Sequence, residues 1–115
     1  MSSQSSAGAV LTLSEGLARL PGPEGQRFAE LFKHGTLSLE IYSPVKTDPQ
    51  SPHMKNEIYV VVRGSGEFVF GDRRKRFGVG DFLFVPAGVV HRFDRFTDDL
   101  VVWVIFYGPD GGENP

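Results

Sequence analysis

Pro52-His53-Met54-Lys55-Asn56-Glu57-Ile58-Tyr59-Val60-Val61-Val62-Arg63-Gly64 and Gly80-Asp81-Phe82-Leu83-Phe84-Val85-Pro86-Ala87-Gly88-Val89-Val90-His91 are the two stretches whose reading decides the fold. Ile58 to Val62 is a short, β-branched, unbroken apolar run, which suits a strand covered on both faces. Sheet packing or a partner subunit would supply the second cover. Phe82 to Val85 reads as a second short strand, stopped by the turn residues Pro86-Ala87-Gly88. His53, Glu57 and His91 then stand at strand ends. One carboxylate and two imidazoles are the minimum set for a divalent metal with open coordination positions.

Outward from these stretches the same two-residue period continues. Residues 27–33 alternate, turn at His34-Gly35, and resume through 36–42, where Leu37, Leu39 and Ile41 share one face and Ser38, Glu40 and Tyr42 the other. That is a β-hairpin. Residues 43–51 form a Pro-containing loop that delivers the chain to His53. Glu67 to Phe70 and Arg73 to Val79 make another hairpin across Gly71-Asp72, and His91 to Phe96 and Leu100 to Tyr107 complete the series. Before the hairpins, Leu13, Leu17 and Leu20 recur at helical spacing with Ser14 as the expected N-cap and Pro21 as the stop, which predicts a short helical turn. Eight or so short strands with Gly/Pro punctuation predict an all-β fold, an antiparallel double-sheet jelly-roll barrel. Residues 1–10 are expected to be disordered, 11–108 to form the barrel domain and 109–115 to be a flexible tail.

A chain of 115 residues fits one domain with its own core. Cysteine is absent, so disulfides and thiolate metal sites are excluded and any metal is held by nitrogen and oxygen. The formal net charge of −2, with both signs interspersed, provides no global field for nucleic acid or acidic lipid. The one basic run, Arg73 to Arg76, has no interleaved aromatics and reads as a solubilising edge, so no nucleic-acid partner is expected. No segment has signal-peptide character or the length to cross a bilayer, and a soluble cytoplasmic protein is the expectation.

The first stretch resembles motif one of the cupins: His, any residue, His, three or four residues, Glu, six residues, Gly. His53, Glu57 and Gly64 fall on it from the second histidine onward. The second stretch resembles motif two, with Gly80, Pro86, Gly88 and His91 in place. Ser51 stands where the family has its first histidine, and Arg95 where it has a final asparagine. The resemblance implies a jelly-roll barrel, a metal site formed by His53, Glu57 and His91, and a homodimer. The metal would be iron, manganese, nickel or zinc. It leaves function open among a metal-dependent enzyme, dioxygenase- or isomerase-like, acting on a small organic substrate; a non-catalytic small-ligand binding or sensing module; and a metal-free isomerase or epimerase with His53 or His91 as general base.

Strand alternation adds the cavity lining. Ser51 shares parity with His53, so a water or substrate oxygen would take the lost ligand's place. Gln50 carries an amide oxygen that can bind hard metals, although its parity points outward. Tyr59 and Val61 share parity with Glu57, and Phe93 and Arg95 share it with His91, so these four line the same cavity. For Tyr59 and Phe93 ordinary packing is the plainer role. An inward Arg95 would pair with Glu40 or Asp94, or grip a substrate carboxylate, unless it snorkels to the rim. His34 is a solvated turn residue. Trp103, Phe106 and Tyr107 belong to the core or to a subunit interface.

Overall fold

The computed structural model describes residues 7–114. Residues 1–6 of the stretch expected to lack structure lie outside the described residues, while 7–10 are exposed and carry no helix or strand. One helix, α1 (Leu13–Leu17), precedes eight strands: β1 (Phe28–His34), β2 (Leu37–Tyr42), β3 (Asn56–Arg63), β4 (Gly66–Phe70), β5 (Arg73–Phe77), β6 (Phe82–Val85), β7 (His91–Asp94) and β8 (Val101–Tyr107). They form two antiparallel sheets, one in the order β1-β2-β8-β3-β6 and one in the order β5-β4-β7. The fold is the expected jelly roll.

The main core lies between the sheets. Tyr59, Val61, Val85, Val102 and Val104 come from the larger sheet, and Phe68, Phe77 and Phe93 from the smaller. Phe93 is the hub, with ring centroids 4.9 Å from Tyr59, 5.2 Å from Phe68 and 5.4 Å from Phe77. Burying each such side chain stabilises the fold by roughly 1.5–3 kcal/mol, which makes this aromatic knot the main bond between the sheets.

A second, smaller core explains how β3 is covered on its other face. Ala29, Leu31, Ile41 and Val101 are buried beneath Leu13, Leu17 and Leu20 of the α1 region, with Val62 and Trp103 packed beside them. Ala29 and Leu31 share one face of β1 by strand alternation, and the ladder to β2 shifts register between Glu30 and Phe32. The helix sits very close, since a Cβ at Gly16 would lie 2.8 Å from Ile41 Cδ1. Its N-cap is Thr12 and not Ser14. Thr12 Oγ1 accepts from the Glu15 N–H at 3.1 Å, and Glu15 Oε1 accepts from the Thr12 N–H at 3.0 Å. Only the earlier cap puts an acid three residues on, as this reciprocal pair requires.

Gly64, the glycine of the first motif, joins β3 to β4. Its φ is +87°, and a Cβ there would lie 2.8 Å from Leu100 Cα. The left-handed backbone and the crossing chain both require glycine at this corner. Arg73 to Arg76 lie exposed on the edge strand β5, where Arg74 pairs with Glu67 of β4 and, at 2.8 Å, with Asp94 of β7. A solvated pair of this kind contributes little energy, but it spans all three strands. After β8 the chain turns back, and Gly111 N–H donates to the Met54 carbonyl at 2.6 Å.

Candidate metal centre

Glu57 is the second residue of β3, and strand alternation turns it, with Tyr59 and Val61, toward the space between the sheets. His91 opens β7 opposite Phe70 and projects into the same space from the other sheet. His53 lies in the loop before β3. The Gly88 N–H donates to its carbonyl at 2.8 Å, so the turn of the second motif is bonded directly to the first. Each of the three side chains offers one ligand atom, and these atoms lie within 4.8 Å of one another.

Glu57 Oε1 is 2.9 Å from His91 Nε2 and 3.7 Å from His53 Nε2. It is nevertheless a buried oxygen with no hydrogen bond of acceptable geometry. The two observations agree once proton positions are considered. His91 Nδ1 is 2.8 Å from the Val89 carbonyl, which can only accept, so Nδ1 carries a proton. In the neutral ring Nε2 then turns a bare lone pair on a carboxylate oxygen. That contact needs a cation between or beside the two atoms, either a proton on Nε2 or a metal ion. Burial lowers the His91 pKa, but the close approach of the Glu57 carboxylate, the hydrogen bond to the Val89 carbonyl and the charges of Glu57 and Asp48 raise it, for a net rise above the ordinary imidazole value. The pocket is built to hold positive charge.

A hydrogen-bonded network runs around the three side chains. Tyr59 O–H donates to Gln50 Oε1 at 2.9 Å and stands 3.1 Å from His91 Nε2. Burial and the charge of Glu57 raise the Tyr59 pKa well above the phenol range, so the hydroxyl keeps its proton. Gln50 Nε2 donates to Asp48 Oδ2 at 2.6 Å, and Gln50 Oε1 lies 3.3 Å from His53 Nε2. Asp48 is buried and also accepts from the Phe93 N–H at 2.7 Å and from the Tyr42 hydroxyl.

A cavity of about 580 Å³ opens on this network. His53, Glu57 and Tyr59 line it, together with Glu40, Arg27 and Phe106. Among the expected lining residues, Gln50 and Ser51 are present, but Gln50 turns inward where parity points it outward. Residues 50–53 precede β3, so strand alternation does not govern them. Ser51 is exposed. Val61 and Phe93 face the interior but are consumed by the main core and do not line the cavity. Arg95 does not face inward. β7 ends at Asp94, Arg95 takes φ +50°, and its side chain is 76% exposed, 3.9 Å from Glu67. The strand expected from His91 to Phe96 stops two residues earlier, at Asp94. Asp48, Tyr42, Glu40 and Arg27 were not singled out as cavity or network residues, although the inward parity of Glu40 and Tyr42 on β2 was a usable signal.

Comparison with known proteins agrees with the fold. The sequence model of a family described as a cupin domain matches residues 38–107, more than half of the chain. An uncharacterized protein of Streptomyces coelicolor is 32% identical over 85 residues, covering 72% of this chain and 81% of that one. Among solved structures, protein NMB1881 from Neisseria meningitidis superposes with a TM-score of 0.69 at 19% identity, covering 86% of this chain and 99% of the other. The structure of FeII HppE superposes with a TM-score of 0.59 at 18% identity, covering 70% and 48%. At such identities the superpositions speak for the fold alone. With both motifs placed at the ends of adjoining strands and the family match spanning β2 to β8, the chain belongs to the cupin family.

Proposed function

We propose that the protein binds one divalent transition metal through His53, Glu57 and His91 and presents it to a small organic ligand in the adjoining cavity. The observation that carries this is Glu57 Oε1, a buried carboxylate oxygen with no hydrogen bond and a histidine nitrogen 2.9 Å away. The donor set fits iron, manganese, nickel or zinc, with His53, whose side chain is 34% exposed, free to rotate onto the ion. A bound metal would supply Lewis-acid or dioxygen chemistry to a substrate carbonyl or enolate, as in a dioxygenase- or isomerase-like enzyme. The fold likeness to FeII HppE supports this reading. Three protein ligands beside an open cavity favour an enzyme over a purely sensing module. A metal-free reaction with His91 as base is disfavoured, because its side chain is 1% exposed and does not line the cavity.

The other walls of the cavity favour an acidic ligand. Arg27 donates through Nε to the Ser43 carbonyl at 2.8 Å and through Nη2 to Ser43 Oγ at 3.4 Å, and among the described residues it has no carboxylate partner. The guanidinium is thus fixed along one edge while the other remains for a carboxylate. Glu40, also in the lining, does not oppose this strongly. Burial, then the charges of Glu30 and Glu57, raises its pKa to about 7. The ligand class is a small organic acid such as a 2-oxo acid or hydroxy acid. The Phe82 and Phe84 side chains, 62% and 42% exposed, lie beside Val60 and Ile58 on the half of the outer sheet face that α1 leaves open. A second copy of the chain docks there, giving a homodimer.

Four outcomes are expected. Protein expressed with metal supplementation carries about one equivalent of a transition metal by elemental analysis, and His91→Ala loses it while keeping the wild-type circular dichroism; a wild type with under about a tenth of an equivalent ends the metal proposal. Small carboxylates raise the melting temperature of the metal-loaded protein and their amides do not, and Arg27→Gln removes the difference; equal shifts from acids and amides would refute the ligand class. For Glu40, the folded chain holds between pH 4.5 and about 7 a proton that the unfolded chain has released, so stability falls as pH rises through that window. In chelator, Glu40→Gln should therefore raise the melting temperature at pH 8 by on the order of a few degrees and give no such gain at pH 4, and a gain independent of pH contradicts the assignment. Light scattering finds a dimer that Phe82→Ser with Phe84→Ser converts to monomer; a monomeric wild type excludes the docking face.

A further inference from the structure

Five nitrogen and oxygen atoms form a closed ring in this site. From Glu57 Oε1 the steps are 2.9 Å to His91 Nε2, 3.1 Å to Tyr59 Oη, 2.9 Å to Gln50 Oε1, 3.3 Å to His53 Nε2 and 3.7 Å back to Glu57. Neighbouring ligands of a first-row ion stand roughly 3 Å apart, given metal–ligand bonds near 2.1 Å. The ring has that spacing nearly all the way round. Of its two members outside the His53, Glu57 and His91 set, Tyr59 is a phenol whose hydroxyl already acts as a donor, to Gln50 Oε1. Gln50 Oε1 is an amide oxygen with lone pairs to give and no proton to lose.

The orientation of that amide is fixed by its surroundings. A carboxylate only accepts hydrogen bonds, so the Gln50 atom 2.6 Å from Asp48 Oδ2 is the nitrogen, and the oxygen must face the ring. Asp48 is itself secured by the backbone N–H of Phe93, two residues along β7 from His91, and its own carbonyl accepts from the Gln50 N–H at 2.9 Å. A carboxylate only 7% exposed is costly to bury. Here it ties the loop carrying Gln50 to the strand carrying His91.

We infer that Gln50 Oε1 is a fourth ligand to the metal, filling the position that lacks a histidine at Ser51, and that Asp48 aims it. This rests on the metal reading above. It turns a three-ligand site into a two-nitrogen, two-oxygen site, which is harder than one rich in histidine and shifts preference toward manganese or iron(II) relative to zinc. The bound metal replaces the hydrogen bond from Tyr59 O–H as the partner of the amide oxygen.

The test is titration of the metal-free protein with Mn2+, followed by the paramagnetic resonance signal of the free ion, and with Zn2+ against a chelator. Gln50→Leu removes the oxygen, and Gln50→Asn keeps an amide one methylene too short, serving if the leucine variant folds poorly. Both are expected to bind Mn2+ on the order of 10–100-fold more weakly than wild type, with a smaller loss for Zn2+. Melting of the metal-free variants checks that the fold persists. If wild type binds Mn2+ and both variants bind it equally well, the Gln50 assignment is overturned and the three-ligand site stands. If wild type binds neither ion, the metal reading falls and the fourth ligand with it.

Discussion

A buried carboxylate needs compensation, and in this protein that requirement falls on Glu57. It is 1% exposed, it sits between two sheets of hydrocarbon, and it is faced by nitrogen and oxygen atoms that are themselves mostly acceptors. Removing such a charge from water costs several kcal/mol even after relaxation. Its neighbours are held in fixed orientations. His91 is held with its Nδ1 proton on Val89, Tyr59 keeps its own proton, and Gln50 is turned so that its oxygen points in. Seen this way, the polar site and the apolar core are one construction: Tyr59 touches Phe93 and Phe68 with its ring and the site with its hydroxyl.

The sheets were legible because alternation is a strong signal wherever a strand has one buried face. The expected strands at 36–42, 58–62 and 100–107 fall on β2, β3 and β8 with ends shifted by one or two residues, and the shared parity of Glu40 with Tyr42 and of Glu57 with Tyr59 could be taken from the sequence. The two motifs added the pairing of His53 with His91, which no periodicity contains. The failures cluster where alternation stops. Arg95 was placed by extending β7 past its end, and a single left-handed residue reversed it. Gln50 was placed by counting back from a strand that had not begun. Its orientation is decided by Asp48, whose importance comes from a backbone N–H 45 residues further along the chain. A contact that remote leaves no local mark.

The outer face of the larger sheet shows the same division of labour. The apolar run of β3 implied two covers, and the structure supplies one and a half: the inter-sheet core on one side, and on the other the α1 region over Ile41, Val62 and Trp103. The helix could be foreseen from its leucines, but its cap could not be fixed without seeing which acid closes back on which threonine. The uncovered half around Phe82 and Phe84 gives the fold a second apolar surface of its own.

The three histidine and glutamate side chains also differ in exposure and in what holds them. Glu57 and His91 are buried in the barrel, whereas His53 is one-third open and rides on an irregular loop. His53 and Glu57 both line the open cavity, but only His53 is held by an irregular loop, whereas Glu57 and His91 are fixed by the strands that also carry the inter-sheet core. A substitution in the loop can therefore alter the position of one of the three side chains without disturbing the packing that sets the other two.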